Sequence, residues 1–138
     1  MSAFAQVSAT NVLAGITGQA AFVASVGPIK IKLFPSGTPP TEAAAGTEIT
    51  AGGNYPAGGF SPVTWNAPTA VTGTFSGRIG NAVVTITNMP AAASISHVDL
   101  VDSTATPRRL LWGALTTARS TAAGDTLSFP SDSIVAQV

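Results

Sequence analysis

The chain contains a single histidine, His97, in the stretch "SISHVDLVD", and this limits any acid–base or metal chemistry. In an extended strand His97 and Asp99 share a face, with Asp102 near the strand's end, so a His/Asp/Asp pocket for a divalent cation can be drawn. A hydrogen-bonded or surface histidine in an edge strand explains the same residues more simply, because a cluster without a second His or any Cys is a weak ligand set. Ser96, His97 and Asp99 also supply the residue types of a hydrolytic triad. Triads, however, are assembled from distant segments, and no G-x-S-x-G elbow is present. Glu42 and Glu48 fall in a Gly/Pro-rich stretch and read as solvated rather than as a glycosidase pair. Gly52-Gly53 and Gly58-Gly59 lead into no lysine and helix, so they read as turn glycines, not a phosphate cradle. The reading assigns no catalytic, cofactor-binding or metal residue, implies no cofactor, and takes the chain as not an enzyme.

The elements that would carry these residues are mostly strands. "PIKIKLFPSG" has period two, with Ile29, Ile31 and Leu33 facing one way, Lys30 and Lys32 the other, and prolines closing both ends. Upstream, Thr10 and Asn11 are the expected caps of one short helix carrying Val12, Leu13 and Ile16, weakened at Gly18. From Phe60 onward the chain reads as short strands: "FSPVTW", "AVTGTFSG", "NAVVTITN", "SISHVDLV", "RLLWGALT", "DTLSF" and "SIVAQV". Their spacing and turn residues predict a mainly β fold, an antiparallel β-sandwich or flattened barrel with a short N-terminal helix. A length of 138 residues fits one domain, 1–138.

Residues 36–59 break this pattern. They hold no sustained period and are dense in Gly, Pro and Thr, which predicts a long loop or arm. Such a segment has unpaired backbone and little bulk, so it could lie along a neighbouring subunit or a sheet edge. Tyr55, within it, is expected either to anchor on a neighbouring subunit or to pack over its own sheet edge. Phe60, Trp65, Phe75, Trp112 and Phe129 are expected in the core. Arg108 and Arg109 follow Pro107 and read as a solvated strand entrance, the alternative being a pair with Asp99 or Asp102.

Composition narrows the partners. Charged residues make up 9% of the chain, against roughly 25% in ordinary globular proteins. Six basic and six acidic residues leave a formal net charge of zero, so copies repel each other weakly and close association is tolerated. With only Arg108 and Arg109 adjacent, nucleic-acid binding is not expected. Residues 1–29 carry no charged side chain, yet Asn11, Gly15, Thr17, Gly18 and Gln19 interrupt the run, so it reads as folded sequence rather than an export signal or a membrane span. There is no cysteine, hence no disulfide or thiolate chemistry.

The order of these features resembles the small virion proteins labelled phage tail fibre protein, from about Asn11 onward. In that family a Glu leads into a glycine pair and a Tyr, matched here by Glu48, Gly52, Gly53 and Tyr55. A His-x-Gly-Leu-x-Asp-like strand is matched by His97, Leu100 and Asp102, with Asp99 in place of the Gly. A Leu-Leu…Gly-Ala-Leu strand is matched by Leu110, Leu111, Gly113, Ala114 and Leu115, and a Gly-Asp-Thr turn by Gly124, Asp125 and Thr126. "STATPRR" stands where a Gly-Gly turn would be. The resemblance implies a structural component of a bacteriophage virion, tail or tail fibre. Its expected partners are other copies of itself, in a homo-oligomer, and other phage structural proteins, with assembly in the host cytoplasm. A head decoration protein is the first alternative, and a carbohydrate-binding module presenting Trp65 and Trp112 side by side is the second.

Overall fold

A computed structural model describes residues 3–21, 23–73 and 77–137; Phe75 lies outside them. The fold is mainly β with antiparallel sheets and one short helix. Strand β1 is Ala3–Phe4, helix α1 Gln6–Ile16, β2 Lys30–Pro35, β3 Thr69–Ala70, β4 Gly77–Gly80, β5 Val84–Ile86, β6 Ala93–Val101, β7 Arg109–Thr121, β8 Leu127–Phe129 and β9 Val135–Gln137. A four-stranded sheet has the order β1-β7-β6-β2; β3-β4-β9 and β5-β8 form two smaller sheets.

Period two in "KIKLF" works as expected. Ile31 and Leu33 are fully buried and join Ile95, Val98, Leu100 and Leu111 of the same sheet in a core shared with Val84, Ile86, Leu127 and Phe129 of the β5-β8 sheet. The opposite face of the large sheet carries two cross-strand rows set by register. One is Lys32, Asp99 and Trp112; the other is Phe34, His97 and Ala114. β7 outruns its neighbours: β1 meets it only at Leu111 and Trp112, and residues 115–118 bulge between the pairs His97↔Ala114 and Ile95↔Arg119.

Two sequence expectations are corrected here. α1 starts earlier than the Thr10/Asn11 caps imply. Thr10 sits inside the helix, its hydroxyl donating to Gln6 O at 2.8 Å, and the N-cap position is Ala5, which has no capping side chain. The missing cap comes from far away in sequence, because Glu42 Oε1 accepts the N–H of Gln6 at 2.7 Å. "FSPVTW" forms no strand either. Phe60 and Trp65 make isolated bridges to Ile31 and Asn81 and are partly buried against the core, whereas Phe129 lies within it.

Residues 36–59 form no helix or strand, but their backbone is tied to the body. The outer edge of β2 is closed by this segment and its continuation: Ile49 N donates to Leu33 O at 3.0 Å, Ile31 and Phe60 exchange two bonds at 2.9 Å, and Val63 N donates to Ile29 O at 2.8 Å. Two glycines permit the close approach. At Gly59 (φ 102°) a Cβ would stand 2.8 Å from Ile31 O, and at Gly53 (φ 53°) it would fall 1.9 Å from Asn88 O. The glycine-rich stretch thus lets loop backbone stand in for a fifth strand, closing an edge that is otherwise a template for uncontrolled pairing.

Candidate functional site

The polar side chains collect where residues 41–48 cross the outer face of β2, β6 and β7. Arg109, at the start of β7, points onto that face and donates from Nε to Asp99 Oδ2 at 2.8 Å. Its remaining nitrogens hold the crossing segment, Nη1 on Thr41 O at 2.5 Å and Nη2 on Ala44 O at 3.4 Å. Glu42, in the same segment, receives Gln6 N on Oε1 and the indole N–H of Trp112 on Oε2 at 3.0 Å. One carboxylate thereby joins the helix N-terminus, the crossing segment and β7. The sequence reading of Glu42 and Glu48 as merely solvated is corrected: Glu48 accepts the hydroxyl of Tyr55 and lies 3.9 Å from Lys32 Nζ.

Tyr55 is buried on its own chain, the second of the two expectations for it. Its oxygen accepts Leu33 N at 3.0 Å while its hydroxyl proton goes to Glu48. Burial, reinforced by the hydrogen bond and charge of Glu48, pushes the phenol's pKa far up, so it remains a donor at any ordinary pH.

Between the crossing segment and the sheet lies a cleft of about 410 Å³ lined by Lys32, Phe34, Glu42, Glu48, Asp99 and Arg109. Asp99 is 2% exposed, and its Oδ1 is buried without a hydrogen-bond partner. Burial raises its pKa above the ordinary carboxylate value, and the opposing pull of Arg109 and Lys32 does not cancel this. Asp99 is therefore a costly residue, held at the centre of the sheet by its guanidinium partner.

Asp102 belongs elsewhere. Three residues beyond Asp99, it meets the preceding arginine: Arg108 Nε and Nη2 both reach Oδ2 at 2.7 Å. Arg108 N at 2.8 Å and Thr104 Oγ1 at 2.7 Å donate to Oδ1. Burial alone would raise this carboxyl, but these hydrogen bonds outweigh it and bring the pKa down to about 2. Arg108 Nη2 also holds Ala24 O at 2.8 Å. Both arginines are thus paired, correcting their reading as a solvated strand entrance. Alternation explains the sorting, since consecutive residues entering β7 face opposite ways and each finds the aspartate on its own side.

The proposed cation ligands are not brought together as a set. His97 Nδ1 shares a 2.9 Å hydrogen bond with Ser96, and Asp99 and Asp102 each face an arginine. Among the described residues no group of three or more potential ligands forms. The two indoles sit in different settings, Trp65 lining an apolar groove beside α1 and Trp112 bonded to Glu42. Sequence reasoning missed Asn81, fully buried, whose amide donates to Pro130 O at 3.0 Å and accepts Ile134 N at 2.7 Å, joining the β8–β9 connection to β4. Nothing local signals it: one amide follows "GRIG" and precedes "AVVTI".

This is the architecture of a polar clamp, which holds a strap and a helix to a sheet. In a comparison with known families, residues 3–137 match the family described as Gp80, podophage GP4 fiber I protein gp80. No curated individual protein matches the chain.

Proposed function

Since the chain belongs to the podophage fiber I protein gp80 family, and so to phage structural fibre proteins, we propose that it is a tail-fibre component of the virion that acts through contacts with copies of itself and with neighbouring virion proteins. The family match over residues 3–137 carries this reading. Its description as a fiber protein favours the tail fibre over a head decoration role. The side-chain chemistry supports a structural part, because the charged groups at the centre of the molecule are used on one another. Asp102, Glu42, Arg108 and Arg109 fasten backbone segments, and Asp99 holds Arg109 in place. Residues 41–47 and 50–54 are exposed although flanked by buried anchors, so the segment 36–59 offers neighbours a fixed surface. In this reading the chain is one domain, needs no cofactor and is assembled in the host cytoplasm.

The experiment is to label the chain at its C-terminus and image purified particles. Label on fibres, with particles lacking the chain showing altered or missing fibres, supports the proposal. Particles free of the chain, or label spread evenly over the head, overturn it.

A further inference from the structure

Two polar groups in the cleft under residues 41–48 are left over by the clamp. Arg109 occupies Asp99 Oδ2, so the oxygen that Asp99 keeps for the cleft is Oδ1, which is buried and accepts no hydrogen bond. Lys32 stands opposite Asp99 in the strand pair, and its ammonium comes no nearer to an acid than 3.9 Å, at Glu48 Oε2, too far for a hydrogen bond. A buried acceptor without a donor is costly, and so is a partly buried ammonium without an acceptor. Unlike Glu42, Tyr55 and Arg109, these two groups fasten nothing to the sheet.

The chemistry of an occupant follows from what they lack. It must donate to Asp99 Oδ1 and accept from Lys32 Nζ, and a hydroxyl can do both. Lys32 and Arg109 face three carboxylates, Glu42, Glu48 and Asp99, across the cleft, so an anion would be repelled. A metal ion would meet the two cations, and no group of three potential ligands forms among the described residues. Any ionic ligand would also surrender its hydration where burial already outweighs the pull of Arg109 and Lys32 on Asp99. A neutral ligand bearing several hydroxyls loses least.

The walls and the size agree with this. Phe34, Val101 and Pro107 set apolar surface beside the polar atoms, as a sugar ring sets C–H faces beside its hydroxyls. The cleft's volume of about 410 Å³ lies within the roughly 300–1,000 Å³ of small-ligand sites and far exceeds the share of about 30 Å³ that one water takes.

We propose that the cleft between residues 41–48 and the outer face of β2 and β6 binds one neutral sugar ring, whose hydroxyls donate to Asp99 Oδ1 and accept from Lys32 Nζ. The inference stands apart from the fibre assignment, which the family match carries.

The test is an NMR titration of the isotope-labelled whole chain with glucose, galactose, mannose and N-acetylglucosamine, each as free sugar and as methyl glycoside. Concentrations run to about 50 mM, where millimolar binding saturates. At least one compound is expected to shift the amides of Lys32, Asp99 and residues 43–46 saturably and to leave those of β8 and β9 in place. Lys32→Ala, which removes a side chain outside the clamp, should weaken that binding at least about fivefold and otherwise preserve the spectrum. In Asp99→Asn the amide oxygen goes to Arg109 and an NH₂ replaces the free acceptor, so binding should be lost; if that variant does not fold, Lys32→Ala decides. A glycoside bound as well as its free sugar supports the site and identifies the end of a glycan chain, whereas a glycoside refused supports it and identifies a free sugar. No saturable shift with any of these compounds, shifts confined to other surfaces, or full affinity in Lys32→Ala overturns the inference. Saturation by methylammonium, glycine or phosphate but by no sugar assigns the cleft to ions and overturns it too. A chain that binds sugar but is absent from particles sinks only the fibre assignment, and a chain on fibres that binds none sinks only this inference.

Discussion

The phenolic oxygen of Tyr55 accepts the backbone N–H of Leu33 at 3.0 Å, taking the place that the carbonyl of a further strand would have in the sheet. The same hydroxyl donates to Glu48, so one atom serves both the edge of β2 and the segment that covers it.

Tyr55→Phe leaves the ring in the core but strands the Leu33 N–H and removes the donor to Glu48. A buried donor without a partner costs about 1–3 kcal/mol. Urea denaturation should show a loss of stability of that size, read as a lowered midpoint with an unchanged slope. A neutral result would show that water replaces the hydroxyl.

Gly53→Ala places a Cβ on the carbonyl oxygen of Asn88 at a positive φ, and Gly59→Ala forces one against Ile31 O. Both should destabilise by more than about 1 kcal/mol. Gly37→Ala, with open space around it and no positive φ, should be near neutral. Equal thermal midpoints for all three would contradict the close approach described above.

Glu42→Ala should loosen α1 rather than unfold the sheet. Loss of a helix N-cap costs about 0.5–2 kcal/mol, and the carboxylate also lies at the positive end of the helix dipole. Hydrogen exchange of residues 6–16 is expected to quicken while that of β6 holds, and the emission of Trp112 should change as its indole N–H loses its acceptor. Glu42→Gln, which keeps an acceptor oxygen, should fall between the two.

The two aspartates give opposite pH slopes. Asp102 is depressed to about 2, so the stability it contributes is complete above the unfolded carboxyl value and is lost as pH falls toward 2. Asp99 is raised, so the folded state holds its proton longer than the unfolded chain does, and stability falls as pH climbs through that window. Stability should therefore pass through a maximum in the acid range. Asp99→Asn should remove the decline on its alkaline side and leave the acid limb, while Asp102→Asn should do the reverse.

What could be read in the sequence follows from the range of the forces involved. Alternation in "KIKLF" and the strand character of "SISHVDLV" and "RLLWGALT" are local, and they gave the β2, β6 and β7 frame. The strand assigned to "FSPVTW" failed because its bonds go singly to Ile31 and Asn81 rather than to one partner. The N-terminus of α1 was misplaced because its cap is 36 residues away in Glu42. The clamp was only partly legible. Arg108 and Arg109 read from sequence as a solvated entrance or as one pair with Asp99 or Asp102; that both pair, each with its own aspartate, depends on alternation at the start of β7 and on how it sits against β6. Asn81 gave no warning, since nothing local says that a lone amide will be sealed inside.

The covered margin of β2 has one more effect. With its amides and carbonyls already engaged, that side offers an incoming chain no rungs to climb onto, and a neighbour must be recognised there by the shape and chemistry of side chains. Protein crowded onto a particle is thereby spared indiscriminate ladder growth from this flank, and its contacts can be selective and finite.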